Sequence, residues 1–135
     1  MIKLEIMKLV FTLLITLIII TSCSETYDFI DPTEFNQAIA KSTDIETPDH
    51  LIKIYYNFPS NEGEPFLEIK SEKLNDGKIK VILIHDLQQD DAQRATKIVM
   101  IAELKNQRWK VYEIKTNRKC KEGRGHTDWG TAWCN

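Results

Sequence analysis

The side chains best able to do chemistry are concentrated at the end of the chain, where Cys120, Gly123, Arg124, Gly125, His126, Asp128, Trp129 and Cys134 share one short stretch. A histidine two residues before an aspartate can serve as a general base or acid with its ring oriented by the carboxylate, and Arg124 can hold an anionic group beside it. The stretch contains no serine, so hydrolysis there would run through activated water. The same residues also fit a structural role, in which the glycines permit tight turns and Trp129 and Trp133 pack over a sheet edge. Arg124 or His126 would then bond main-chain carbonyls. Cys120, His126 and Cys134 fit no standard zinc spacing and lack a fourth ligand. Asp86, Asp90 and Asp91 lack the order of a calcium loop. His50, near a helix start, and His85, at the end of an apolar strand, read as structural. No phosphate-cradling glycine loop, zincin pair, serine elbow or Ser-x-x-Lys motif is present. No catalytic residue, cofactor or metal is therefore assigned, and Arg124, His126, Asp128 and Trp129 stand as candidate binding residues.

These side chains must be positioned by what precedes them. Asp31, Pro32 and Glu34 predict a helix start, with Phe35, Ala38 and Ile39 on one face and an end near Ser42. Thr47, Pro48 and Asp49 repeat the signal before Leu51, Ile54, Tyr55 and Phe58, a run also compatible with a strand but read as helix because of the cap. Residues 59–65 form a loop. From Phe66 the period falls to two: Leu67 and Ile69 alternate with charges, and Asn75, Asp76 and Gly77 supply a hairpin turn. Ile79, Val81 and Leu83 follow, with Ile82 and Ile84 making the other face apolar too, as in a central strand. Residues 98–104 and 109–114 complete four strands, joined by a turn over residues 106–108. The fold class expected is α+β: two N-terminal helices on a four-stranded antiparallel meander with a closed C-terminal loop. In element order alone this resembles cystatin-like and nuclear-transport-factor-like (NTF2-like) folds, whose sheets wrap around a helix and often leave a conical pocket.

The beginning of the chain states a destination. Lys3 and Lys8 precede residues 9–20, which carry no charge, the layout of an export signal. The run is short of the about 20 apolar residues of a spanning helix. Met7 followed by Lys8 would also serve as a start. Ile20, Thr21, Ser22 and Cys23 resemble the lipobox of bacterial lipoproteins. The resemblance implies cleavage before Cys23 and diacylglyceryl on its sulfur, with further acylation for stable anchoring. Residues 1–22 would then be a signal peptide, 23–30 a lipidated tether and 31–135 a single domain. Ser24, where inner-membrane retention commonly uses aspartate, implies the outer membrane facing the periplasm. Loss of Lys3, Glu5 and Lys8 makes the formal charge of −2 one unit more negative, which gives no field to attract nucleic acid.

In an exported lipoprotein, three cysteines divide into acylated Cys23 and a Cys120–Cys134 pair. The ending Cys-x-x-Gly-Arg-Gly-His-x-x-Trp-x-x-x-x-Cys resembles a group of uncharacterised exported bacterial proteins, which implies the same disulfide and no defined activity. Lys115, Arg118, Lys119, Lys121 and Arg124 form a basic stretch that reads either as a solvated strand end or as a surface for an anionic partner. The functional expectation is a lipid-anchored envelope protein that acts as a non-catalytic binding module, with an envelope protein as a possible partner and an inhibitor or immunity role by analogy. The alternative is a small-ligand binder or hydrolase using the concave sheet face and His126.

Overall fold

The computed structural model describes residues 24–57 and 66–135, together with Lys3. The chain runs β1 (Asp28–Ile30), α1 (Thr33–Ile39), α2 (Pro48–Tyr56), β2 (Phe66–Lys73), β3 (Ile79–Asp86), β4 (Gln93–Lys105) and β5 (Arg108–Cys120). Apart from Lys3, the export signal lies outside the described residues, as do Cys23, Phe58 and the 59–65 loop. Among the described residues no helix is long and apolar enough to cross a membrane.

Local chemistry starts both helices. Asp31 Oδ1 accepts the Thr33 N–H at 2.9 Å and the Thr33 hydroxyl at 2.6 Å, which delays α1 to Thr33 and leaves Glu34 outside any capping box. Thr47 caps α2 by accepting the His50 N–H at 3.1 Å, with Pro48 at the helix start, and the helix closes at Asn57 in the left-handed region (φ 37°). The helix reading of this segment therefore holds. Its buried stripe differs: Leu51 and Ile52 are fully buried, whereas Ile54 is 40% exposed. On α1, Ile39 is buried and Phe35 half-buried, while Ala38 faces solvent.

β2 to β5 form the expected antiparallel meander, but the sheet has five strands, in the order β1-β5-β4-β3-β2. The extra strand comes from the segment read as a tether. Asp28, Phe29 and Ile30 pair with Thr116, Lys115 and Ile114, so a strand precedes the helices. β4 and β5 also extend beyond their apolar centres, each reaching 13 residues. Their hairpin turns at Asn106 (φ 51°) and Gln107 (φ 62°), two positive-φ residues matching the twist of the flanking strands.

The helices cover one face of the sheet. Leu51, Ile52, Val81, Leu83, Met100, Val111 and Ile114 are its fully buried centre. Phe35 and Tyr55 join the helices edge to face at 5.1 Å between ring centroids. The Trp109 indole donates to the Ile45 carbonyl at 2.7 Å, which fixes the linker between the helices. Asn36 does for the edge of β5 what a strand would do: its amide donates to Val111 O and accepts from Val111 N, both at 2.8 Å. Two backbone groups beyond the reach of β1 are thereby satisfied.

Candidate functional site

The chain after β5 turns back along the sheet edge. Arg118 N–H donates to Gly130 O at 2.8 Å and Gly130 N–H to Arg118 O at 3.0 Å, a bridge that continues the pairing begun by β1. Cys120 and Cys134 form a disulfide with 5.4 Å between Cα atoms, so the two sulfurs bind each other and neither can ligate a metal. Gly125 (φ 141°) passes so near that a Cβ there would lie 2.9 Å from Cys120 Sγ.

His126 is held from both sides. Its Nδ1 lies 2.8 Å from Asp128 O and its Nε2 2.9 Å from Ala132 O. Both neighbours are carbonyl oxygens and can only accept, so the ring satisfies both contacts only as the doubly donating imidazolium. The carbonyls of Ala132 and then Asp128 accordingly hold the His126 pKa above its ordinary value. The Asp128 carboxylate, 3.9 Å from Nδ1, adds an ion pair. In this arrangement His126 has no free nitrogen to accept a proton from a substrate.

The structure brings His126, Asp128 and Trp129 together around an open cavity of about 590 Å³, joined by Ser24, Glu25, Thr26 and Lys119. Arg124 is not part of it. Its guanidinium donates to the Asn135 backbone oxygen at 3.2 Å, and its own carbonyl accepts the Asn135 N–H at 2.7 Å.

The residues missed by sequence reasoning lie beneath Trp129. Lys97 Nζ is 4.2 Å and Lys119 Nζ 4.7 Å from the centre of its ring, so two ammonium groups lie within cation–π range of one indole. Lys97, only 8% exposed, donates to Glu25 Oε2 at 2.7 Å. Tyr27 donates to the same oxygen at 2.5 Å, and Asn117 Nδ2 donates to the Thr26 carbonyl at 3.1 Å. Burial pushes the Glu25 carboxyl up, but the Lys97 and Tyr27 hydrogen bonds outweigh it and leave the pKa below its ordinary value. Burial, then Glu25, raises the Tyr27 phenol to about 12. The alternation of β4 marks Lys97 as opposite in face to Ile98; only the return of residues 24–27 over that face makes it buried.

Next to this cluster, on the sheet face that the helices leave free, lies a second open cavity of about 490 Å³. Ile82, Ile84 and Val99 form its apolar part and Lys70, Lys80, Lys97 and Lys115 its cationic part. Glu25 lines both cavities.

The basic stretch of the sequence is divided by the fold. Arg118 stacks 3.8 Å over Trp133 and donates to Thr131 O at 2.9 Å, and Lys121 bonds the Asp90 carbonyl. Lys115 and Lys119 alone turn to the open face. Asp90 accepts the N–H groups of Ala92 and Gln93, as a turn residue does. Among the described residues no three His, Cys, Asp or Glu side chains are grouped to hold a metal.

No family model, curated protein or solved structure matches this chain.

Proposed function

We propose that this protein is a lipid-anchored module of the bacterial envelope that acts by binding, with the disulfide-closed tail as its recognition surface. The observation that carries the binding reading is His126. The one titratable ring in the tail cluster spends both nitrogens on main-chain carbonyls, which suits a rigid recognition loop and not a proton-transfer site. Trp129, the most enclosed aromatic of that loop, and Lys119 would be contact residues for an envelope partner, and Asp128 contributes a neighbouring carboxylate. Arg124, tied to Asn135, would contact a partner only from the far side of the loop. An inhibitor or immunity role belongs to the same reading.

The anchor rests on the Ile20-Thr21-Ser22-Cys23 pattern behind an uncharged apolar run, and the outer membrane facing the periplasm is the location that Ser24 supports. A second reading, a small-ligand binder on the sheet face, is favoured by the apolar trough lined with lysines.

Fractionation tests the anchor: the wild-type chain should follow the membranes with diacylglyceryl on Cys23, and Cys23→Ala should move to the soluble fraction. Affinity capture from an envelope extract tests the surface, since Trp129→Ala with Lys119→Glu should abolish a specific partner that wild type retains. A Cys23→Ala chain that stays with the membrane would remove the anchor from this reading.

A further inference from the structure

We infer that the helix-free face of the sheet is a docking face for anionic phospholipid, against which the acylated chain lies flat. The inference rests on the lipid-anchor reading above and adds to it an orientation. Lys70, Lys80, Lys97 and Lys115 surround the apolar side chains of Ile82 and Ile84; among the described residues Glu25 is the one carboxylate lining the trough, with Glu68, Glu72 and Glu113 on the same sheet face around it. Glu68 pairs with Lys70 at 2.6 Å and Glu113 with Lys115 at 3.2 Å, both at exposed or partly exposed positions. Such pairs are weak and yield to a multivalent anionic surface. Lys80 makes no ion pair among the described residues. Phe29, 73% exposed, stands on the same face beside Lys115, with the lysine Nζ 5.9 Å from its ring. An aromatic ring at the margin of a lysine cluster suits the boundary between headgroups and acyl chains.

The covalent chain supplies the second argument. Cys23 is one peptide from Ser24, about 3.8 Å between α-carbons, and Ser24 lines the cavity that shares Glu25 with the lysine trough. Glu25 is itself clamped to Lys97 at 2.7 Å. A lipid on Cys23 is therefore attached beside this face rather than beside the helices, and lysines that come within a screening length of about 10 Å of the headgroups are drawn to them. Each lysine held at that distance gains from the negative surface potential.

The test uses the full, processed chain reconstituted in vesicles of phosphatidylglycerol with phosphatidylethanolamine, or of phosphatidylcholine alone. Lysines are acetylated with a membrane-impermeant reagent and read by peptide mass spectrometry, with exposed Lys41 and Lys53 on the helical side as internal references. Lys70, Lys80 and Lys115 should react several-fold more slowly than the references in the anionic vesicles. The protection should fade as salt is raised from about 0.1 to about 1 M, where the screening length falls to about 3 Å. Charge reversal at Lys70 and Lys80 together should leave the chain anchored and abolish the protection of Lys115. Equal reactivity in both lipids, or protection of the references instead, overturns the docking face while leaving the anchor standing. An intact mass showing unmodified Cys23 overturns both.

Discussion

Lys97 and Glu25 form an ion pair at 2.7 Å across 72 residues of chain. The lysine comes from the middle of β4 and the glutamate from the segment preceding β1. The pair draws the first described residues over the sheet and supplies a cation to the underside of Trp129. Segment, sheet and tail are thereby joined at one place.

Removing one partner should cost more than removing both. Glu25→Ala leaves the enclosed Lys97 ammonium without its carboxylate. We expect a loss of about 1–2 kcal/mol, less than the about 3–5 of a wholly buried pair because Glu25 remains 39% exposed. Urea denaturation of Glu25→Ala, Lys97→Met and the double variant should show the double recovering part of the loss. An additive double variant would mean that the two side chains are not coupled.

The tail should lose stability as the solution becomes alkaline. The His126 pKa is raised in the fold, so its contribution is complete below the unfolded value of about 6.5 and disappears as pH rises through the folded value. Thermal unfolding of wild type and His126→Asn should differ more at about pH 5.5 than at about pH 8.5. A proton NMR titration that places the His126 ring below the unfolded value would reverse the sign.

Opening the Cys120–Cys134 disulfide should release the loop that holds Trp129. The closed loop spans a sequence separation of 14, which corresponds to about 3 kcal/mol in the chain-entropy account. Replacing both cysteines with serine should lower the denaturation midpoint accordingly and shift tryptophan emission to the red. An unchanged spectrum would show that His126 and the Arg118–Gly130 bridge hold the loop alone.

Gly125→Ala should be harmful for two reasons. The position has φ 141°, and the added methyl would meet Cys120 Sγ at 2.9 Å. Strain of this kind costs about 1–3 kcal/mol, which calorimetry of the oxidised protein would detect. Gly123→Ala, with open space around it, should cost less, and equal losses would remove the close contact as the cause.

Features that depend on neighbours along the chain are legible in the residues alone. Thr47 and Pro48 start a helix because a hydroxyl and a fixed φ act within one turn; Asn75, Asp76 and Gly77 turn a hairpin for a similarly local reason. The alternation of Leu67, Ile69, Val81 and Leu83 with charged or opposite-face residues reads as strands because the pleat has a period of two. The cysteine arithmetic also reached the Cys120–Cys134 disulfide.

Which polar residues matter depends on contacts between segments far apart in the chain. Residues 24–30 look like a tether because they lack a core pattern, yet they become β1 and its lead-in when Thr116, Lys115 and Ile114 offer an unpaired edge. The polar end of β5 is strand for the same reason, its backbone groups being satisfied by β1 and Gly130. Lys97, just before the strand expected at residues 98–104, carries no sequence signal, and only the fold encloses it under Glu25 and Trp129. His126 reads as staple or as base until two carbonyls, from Asp128 and Ala132, take both its nitrogens. These outcomes depend on hydrogen-bond partners and charges brought together from distant parts of the chain, which neither periodicity nor local propensity records.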